Sequence, residues 1–202
     1  MGANSIRMAN GSYFPATVEP THLKKHKVRR RRVHTDASLN TQSDKNLDVV
    51  GYSYCYEVKN PVNDVPEFNH GTAVVPHNNS SLIAELLGMV FVLETAKKPD
   101  NLEILCDNMD AVDLFNYVIK GNPVANLNAN SAIVKALRKL EKYQGRNICA
   151  RWEKGHAGNP YNSLADHLAR MGRRMKQQRL NHYYRESQEA LGKRIFKELA
   201  TA

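Results

Sequence analysis

Four carboxylates stand inside segments that are otherwise apolar or tightly turned, and this placement constrains the chain more than any other feature. Glu85 interrupts a long apolar run, and Asp107 ends the run Leu-Glu-Ile-Leu-Cys-Asp. Asp36 lies in Val-His-Thr-Asp-Ala-Ser, and Asp166 lies in Ser-Leu-Ala-Asp-His-Leu-Ala. A charge in an apolar segment costs several kcal/mol unless it is paired or binds a metal. The four acids therefore indicate a site that holds hard cations.

The length and composition fit one globular domain with appendages. The chain has 202 residues, of which 42% are hydrophobic, and a single domain takes about 150 residues. No apolar run approaches the roughly 18 residues that a membrane span needs. The start of the chain has no apolar signal block, and Ile6 stands where a myristoylation site requires Ser or Thr. We therefore expect no membrane partner.

The net charge of +9 is concentrated at the two ends. Residues 1–32 contain eight Lys or Arg and one acid, giving +7, and residues 173–202 contain eight Lys or Arg and three acids, giving +5. The middle of the chain carries the remaining −3. Basic ends attract polyanions, of which nucleic acid is the commonest. The alternative is that the basic ends serve only solubility.

The cysteine content indicates the compartment. Cys55, Cys106 and Cys149 each fall in a predicted strand, and no Cys-x-x-Cys occurs. An odd number of cysteines in strands fits buried free thiols in a reducing compartment and argues against a zinc site. We therefore expect a cytoplasmic protein.

The pattern of apolar residues predicts the element order βββαβααβα. The predicted elements are a first strand that ends near Asp36, strands over 48–59 and 72–76, a buried helix over 81–96, a strand over 102–106, helices over 109–119 and 132–143, a strand over 148–152, and a helix that starts at Ser163. This order gives an α/β fold with a mixed five-stranded sheet flanked by helices. Strands that end at Asp36 and Asp107 would place both acids at one edge of the sheet, where open α/β sheets form their sites.

The motifs and their order resemble type 1 ribonuclease H. The matching blocks are Thr35-Asp36-Ala37-Ser38, Ala84-Glu85-Leu86, Cys106-Asp107-Asn108 and Trp152-Glu153-Lys154-Gly155-His156-Ala157-Gly158-Asn159-Pro160-Tyr161-Asn162-Ser163-Leu164-Ala165-Asp166-His167-Leu168-Ala169. The last block is the most specific, because it is similar to the bacterial family's Lys-Gly-His-x-Gly, an Asn, then an Asp and Leu-Ala. The resemblance covers about residues 32–172. It implies the ribonuclease H-like fold, here with a C-terminal helical extension.

The resemblance implies an endoribonuclease that hydrolyses the RNA strand of an RNA–DNA hybrid and leaves 5′-phosphate and 3′-hydroxyl ends. The family uses two divalent ions, so Mg²⁺ is expected, with Mn²⁺ as the alternative and no small-molecule cofactor. The chemistry of the residues agrees, because two Mg²⁺ ions about 4 Å apart activate a water and stabilise a leaving oxygen. Four clustered carboxylates without a metal would raise each other's pKa.

The family's roles carry over to single residues. Asp36 resembles the carboxylate that bridges both ions, and Asp166 resembles the ligand of the ion that activates the water. Glu85 and Asp107 would hold the ion on the leaving-group side. His156, in a loop flanked by glycines, would move protons or aid product release. Each residue also has a structural explanation, as a helix cap, a strand end or a surface group, but the ordered set favours function.

The same resemblance predicts substrate contacts around the acids. The residues are Ala37, Ser38, Asn40, Ser81, Asn108 and Asn162. Two departures bear on hybrid recognition, which needs 2′-hydroxyl contacts on one strand. Leu82 and Ile83 stand where the family often has Asn-Arg, with Ser81 nearby as a substitute. Met109 stands where many members carry a Gln.

Many bacterial members carry a basic protrusion in the region that corresponds to residues 120–130. In this chain the region is Asn-rich and nearly uncharged, and we expect the basic ends of the chain to replace the protrusion. We predict a flexible basic arm over 1–27, a ribonuclease H-like catalytic domain over 28–172 and a basic amphipathic helical extension over 173–202. The extension has a stripe that we expect to dock on the domain itself or on a second copy of the chain. The stripe is Leu180, Tyr183, Tyr184, Ser187, Leu191, Ile195 and Leu199.

Two other functions compete with the hybrid-specific ribonuclease. One is a resolvase-like DNA nuclease of the same superfamily, which the histidine loop and the third acid block argue against. The other is a nucleic-acid-binding module without activity. All four acids are present, and a pure binder gains nothing from clustered negative charge that faces phosphate.

Overall fold

The computed structural model describes residues 7–8, 30–40, 47–60, 63–96, 99–155, 158–178 and 185–201. The strands are β1 (Arg7–Met8), β2 (Arg31–Leu39), β3 (Leu47–Tyr56), β4 (Phe68–Pro76), β5 (Leu102–Cys106), β6 (Leu127–Asn128) and β7 (Ile148–Trp152). The helices are α1 (Ser80–Thr95), α2 (Met109–Ile119), α3 (Ser131–Arg138), α4 (Pro160–Gln178) and α5 (Arg185–Thr201), with short 3-10 helices at Val124–Asn126 and Glu141–Tyr143.

Five strands form one mixed sheet in the order β4-β3-β2-β5-β7. β3 pairs antiparallel with both β2 and β4, whereas β5 pairs parallel with both β2 and β7. This confirms the predicted α/β fold class, with its mixed five-stranded sheet and flanking helices. β1 and β6 form a separate pair, in which Arg7 of the predicted arm lies opposite Asn128 of the Asn-rich segment.

The two faces of the sheet carry different helices. α1 lies over the face that bears Thr35, because Gly88 is within ordinary contact distance of Thr35 and Tyr52. α4 lies over the other face, where the Ser53 hydroxyl donates to the Ala165 carbonyl at 2.5 Å. Asp36 is the direct partner of Ser53, and paired residues of antiparallel strands point to the same face. Asp36 therefore belongs to the face covered by α4.

A glycine lets α4 lie directly on β3. A Cβ at Gly51 would overlap the carbonyl oxygen of Ala169 and the backbone nitrogen of Arg173. Only hydrogen at this position permits such a close approach between a helix and a strand. The approach brings Asp166, one turn before Arg170 on α4, down toward the central strand β2.

Several boundaries differ from the predicted ones. β2 does not end near Asp36 but continues to Leu39, because its antiparallel pairing with β3 continues. β4 begins at Phe68, four residues before the strand predicted over 72–76. The helix predicted over 132–143 is α3 followed by a 3-10 turn. α4 starts at Pro160 rather than Ser163, and the fixed φ of proline suits the first turn of a helix.

The C-terminal helix packs on the domain itself. Phe196 of α5 is 2% exposed and its ring centroid lies 5.1 Å from that of Tyr161 on α4. Gly192 lies against the Phe68 ring. Phe196 was not part of the predicted stripe, of which Ile195 is only partly buried in this cluster. Leu180, Tyr183 and Tyr184 of the stripe lie outside the described residues.

Most of the basic arm predicted over 1–27 also lies outside the described residues, which include only Arg7 and Met8 of it. Among the helices that are described, none has the length and apolar character to cross a bilayer. Docking of the tail on a second copy of the chain stays a prediction.

Candidate active site

The site forms where the two central parallel strands stop pairing. β2 and β5 pair from Arg31 opposite Leu102 to His34 opposite Leu105. Beyond that point β2 stays paired with β3, whereas β5 ends at Cys106 and the chain turns into α2. The carboxyl ends of adjacent parallel strands are where open α/β sheets form their sites. Asp36 and Asp107 both lie just past the end of this pairing, as the sequence predicted.

Asp36 is at the centre of the acidic cluster. Its side chain is 6% exposed, and the Ala37 N–H donates to its Oδ1 at 2.7 Å. Burial raises the pKa of this carboxyl to about 8, and the negative charges of Asp107 and Asp166 add to the rise. The Ala37 N–H and the Arg170 guanidinium act in the opposite direction on the same pKa. Asp36 also raises the pKa of Glu85, so it interacts with all three of the other predicted acids.

Glu85 enters the cluster from α1. Although it lies on a helix, it is 5% exposed, because α1 is packed against β2 and β3. Burial raises its pKa well above the usual range, with further contributions from Asp36 and Asp107. The Cys106 thiol donates to Glu85 Oε2 at 3.5 Å. One ligand atom each from Glu85, Cys106 and Asp107 lies within 4.8 Å of the others.

Asp107 is held in place by the last residue of β7 and by the segment that follows it. The Trp152 indole N–H donates to the backbone carbonyl of Asp107 at 2.9 Å, and the Glu153 N–H donates to the carbonyl of Cys106 at 2.9 Å. A Cβ at Gly155 would overlap the Oδ2 of Asp107. The Lys-Gly-His motif therefore brings its glycine directly against the third acid.

Asp166 completes the cluster from the opposite face. It is 8% exposed on α4 and forms an ion pair with Nη2 of Arg170, one turn later, at 2.5 Å. The hydrogen bond from Ser53 to Ala165 fixes this turn of the helix on the sheet. All four predicted acids are thus gathered at one end of the β2–β5 pair, from β2, from the turn after β5 and from helices on both faces.

The donor set fits a hard divalent cation. Mg²⁺ and Mn²⁺ prefer carboxylate oxygens, and Asp36, Glu85, Asp107 and Asp166 supply them. Repulsion among these acids is relieved by bound positive charge. The neighbouring Cys106 thiol is a poor soft ligand, because burial and the charge of Glu85 raise its pKa and keep it protonated.

The predicted histidine, His156, lies outside the described residues, but the ends of its loop are described. Gly158 has φ 79°, a left-handed backbone that favours glycine. Before the loop, Glu153 accepts from the Asn159 side chain at 3.1 Å. Glu153 Oε2 also lies 2.7 Å from Nδ1 of the fully buried His34. This network ties the two ends of the loop to each other and to β2.

His34 itself is held from both sides. Its Nε2 lies 2.9 Å from Oε1 of Glu57, and its ring stacks on Tyr161 of α4 with a centroid distance of 5.5 Å. In the sequence His34 lies two residues before Asp36, but the sequence did not indicate this network, because the hydrogen-bond partners of His34 come from distant segments.

The predicted substrate residues on β2 have different surroundings. Ala37 is half-buried and its N–H is used by Asp36. Ser38 accepts a hydrogen bond from Nε of Arg173 at 3.0 Å. Asn40 is half-buried, and its N–H donates to the Val49 carbonyl at 3.2 Å. Their contact with substrate stays a prediction.

The other three predicted substrate residues each lie close in sequence to an acid. Ser81 is exposed on α1, one turn before Glu85. Asn108 directly follows Asp107, and its side chain accepts from the Ala111 N–H at 3.0 Å, which caps α2. Asn162 is buried on α4, one turn before Asp166, so both residues lie on the same helix face.

Sequence reasoning missed three residues that shape the site. Arg170 could have been found, because an Arg four residues after an Asp in a helix is a pairing signal. Cys106 was predicted only as a buried thiol, and nothing in its spacing indicated contact with Glu85. Arg173 was counted only within the basic tail, and its bond to Ser38 spans 135 positions of sequence.

Comparison with known proteins agrees with this geometry. A model of the RNase H family matches residues 29–174. Ribonuclease H of Agrobacterium fabrum is 34% identical over 94 residues, which cover 44% of this chain and 64% of that protein. The chain therefore spans somewhat less than two thirds of this curated relative.

Solved structures share the fold at low identity. The native protease–reverse transcriptase of prototype foamy virus has a TM-score of 0.57 and 19% identity, over 78% of this chain and 22% of that chain. The foamy viral protease–reverse transcriptase in complex with an RNA/DNA hybrid has a TM-score of 0.54 and 16% identity, over 79% of this chain and 22% of that chain. The predicted resemblance is confirmed: the chain belongs to the RNase H family.

Proposed function

We propose that this protein is a ribonuclease that hydrolyses the RNA strand of RNA–DNA hybrids. The observation that carries the proposal is the convergence of Asp36, Glu85, Asp107 and Asp166 at the end of the β2–β5 pair. Three of these residues are less than a tenth exposed, and the fourth, Asp107, is half-buried. Burial of so many carboxyl groups in one place costs stability, and such costs are typical of functional sites.

The four acids are proposed to hold two Mg²⁺ ions, with Mn²⁺ as a substitute. When bound, such ions supply an activated water and stabilise the leaving oxygen of a phosphodiester. The chain's own residues prepare the site. The Ala37 N–H holds one oxygen of Asp36 in place, and the Cys106 thiol holds Glu85. Since the acids are fixed by neighbours before substrate arrives, little reorganisation is needed at the moment of reaction.

His156 is proposed to move a proton during hydrolysis or product release. Its loop is anchored at Glu153 and Asn159, which are hydrogen-bonded to each other. Between these anchors the sequence contains Gly155 and Gly158, and Gly158 has a left-handed backbone that favours glycine. Proton transfer by a histidine near neutral pH suits this role, since its ordinary pKa is close to the working pH.

The choice of an RNA–DNA hybrid rests on family and on the polar surroundings of the acids. The curated relative is named ribonuclease H, and a foamy viral protein with this fold is known in complex with an RNA/DNA hybrid. Recognition of RNA needs donors and acceptors for the 2′-hydroxyl. Ser81, Asn108 and Asn162 supply such groups beside Glu85, Asp107 and Asp166, and we propose that they contact the hybrid.

The test is divalent-ion-dependent cleavage of a labelled hybrid, run beside double-stranded RNA and double-stranded DNA. Wild-type protein is expected to cleave only the hybrid, and Asp107→Asn is expected to lose that cleavage. Asp110→Asn is the matched control, because it is the same substitution at an exposed position in the first turn of α2. Cleavage of double-stranded DNA, or full activity in Asp107→Asn, would refute the proposal.

A further inference from the structure

Arg173 reaches from α4 to the strand that carries Asp36. Its Nε donates to Ser38 Oγ at 3.0 Å, and its Nη1 donates to Gln177 Oε1 at 3.3 Å. Ser38 lies two residues after Asp36 on β2, so both side chains point to the face covered by α4. The close packing of α4 on Gly51, directly opposite Ser38, fixes this arrangement. Arg173 is therefore placed at the border of the acidic cluster by both backbone and side-chain contacts.

Two more arginines lie next to Arg173 on α4. Arg170 and Arg174 flank Arg173 on α4, and after burial their positive charges are what lowers the pKa of Arg173. Arg170 is paired with Asp166. Within the described part of the chain, neither Arg173 nor Arg174 has a carboxylate within ion-pair distance. The three guanidinium groups are thus close enough to repel one another, with Asp166 paired to one of them, and a bound anion would relieve this repulsion.

The geometry points to a phosphate-binding site, formed by Arg173 and Arg174 and braced by Ser38, for a backbone phosphate of the bound nucleic acid. This inference rests on the proposed function. Arginine suits the task, because its planar fork of donors matches a phosphate and stays charged at all relevant pH values. The site adjoins the carboxylates, so a phosphate bound there fixes the register of the strand relative to Asp36.

The location also explains how a chain without a basic protrusion can hold a polyanion. Residues 120–130 contain one basic residue, Lys120, whereas α4 carries Arg170, Arg173, Arg174 and Lys176 within seven positions. A row of charges on a rigid helix follows a nucleic-acid backbone without reading its sequence. Binding through this row is therefore expected to be insensitive to sequence and strongly dependent on salt.

The test compares the double variant Arg173→Gln/Arg174→Gln with wild-type protein in binding a labelled hybrid at several NaCl concentrations. A chelator removes divalent ions, so no cleavage interferes. The plot of log K against log salt has a negative slope. Each lost phosphate contact is expected to make this slope less steep by about 1 and to weaken binding by roughly threefold to tenfold. The control is Lys142→Gln/Arg146→Gln, which removes the same charge near the edge where β5 and β7 begin. This control is expected to keep the wild-type slope.

A structural role for Arg173 gives a different result. In that case Arg173→Gln and Ser38→Ala would lower the melting temperature while the salt slope stays unchanged, and that outcome overturns the inference. Equal slopes for the double variant and its control also overturn it. A further variant, Arg173→Lys, keeps the charge and is expected to retain most of the slope even if its stability falls. If wild-type protein cleaves the hybrid but the arginines do not matter, only this inference fails; if wild-type protein neither binds nor cleaves the hybrid, the proposed function fails.

Discussion

Gly155 lies so close to Asp107 that any side chain at this glycine would overlap the carboxylate of the acid. The variant Gly155→Ala is therefore expected to displace Asp107 or the segment that carries His156. A shift of about 1 Å in a catalytic group costs roughly 100-fold in rate. We expect kcat for hybrid cleavage to fall by about that factor while the fold stays intact by circular dichroism.

The matched control for this prediction is Gly88→Ala on α1. A Cβ at Gly88 meets Tyr52 at an ordinary 3.6 Å, so the same change brings no overlap. Alanine favours a helix over glycine by about 0.5–1 kcal/mol, and this variant is expected to be active and at least as stable as wild type. Equal activity of Gly155→Ala and Gly88→Ala would contradict the assignment of the contact.

Stability without divalent ions is expected to fall as pH rises. The folded pKa of Asp36 is raised from 3.8 to about 8, and the pKa of Glu85 is also raised. Between these pH values the folded state binds more protons than the unfolded state, so the free energy of unfolding decreases with increasing pH. The stability that the protonated Asp36 carboxyl contributes is fully present below its unfolded pKa of 3.8 and is lost as the pH rises through the folded pKa of about 8.

This prediction is checked by urea unfolding at pH 5 and pH 8 in a chelator. Asp36→Asn removes the titrating group, so the variant should show a shallower dependence on pH and higher stability than wild type at pH 8. Addition of Mg²⁺ at pH 8 should stabilise wild type more than the variant, because the ion binds only the folded site. A wild-type stability that rises from pH 5 to pH 8 without ions would be incompatible with these pKa shifts.

The bond between Asn159 and Glu153 is expected to support catalysis by positioning the histidine loop. Asn159→Ala leaves His156 and the acids in the sequence but removes the link between the two ends of the loop, together with the hydrogen bond that Asn159 Oδ1 accepts from the Tyr161 N–H at 3.0 Å. We expect kcat to fall by roughly tenfold with little change in KM, and stability to fall by about 1 kcal/mol. Asn63→Ala, in an exposed turn that is distant in sequence from Asn159, serves as the control. A variant with raised KM and unchanged kcat would assign Asn159 to substrate binding instead.

The C-terminal helix is expected to contribute to stability through Phe196. Removal of a buried phenylalanine ring costs about 3–5 kcal/mol, and the small size of this cluster places Phe196→Ala near the lower end. Chemical unfolding measures the change. Leu199→Ala, at a half-buried position of the same helix, should cost much less. If the two variants lose equal stability, α5 is docked through the predicted stripe and not through Phe196.

The order of elements and the four acids could be predicted from the sequence because each signal is local. Apolar runs of strand or helix length define the elements, and a carboxylate within such a run stands out. The position of Asp36 in the middle of β2 was not predictable, because it depends on where β2 stops pairing with β5 and continues with β3. That difference arises only when the sheet is assembled.

Side-chain contacts between segments that are distant in sequence were likewise not predictable. The networks of His34 with Glu57 and Glu153, and of Arg173 with Ser38, join residues that no spacing rule connects. The anchor of the tail was also misplaced, because Ile195 and Phe196 are adjacent apolar residues of α5, and the helical spacing alone favoured Ile195 whereas Phe196 is the one buried against the domain.

The most direct test of the central claim uses a hybrid labelled differently on its RNA and DNA strands. Wild-type protein in Mg²⁺ is expected to shorten the RNA strand, to leave products with 5′-phosphate and 3′-hydroxyl ends, and to leave the DNA strand whole. Asp36→Asn is expected to bind the hybrid and cleave neither strand in Mg²⁺ or Mn²⁺. Cleavage of the DNA strand by wild type, or undiminished cleavage by Asp36→Asn, would contradict the account.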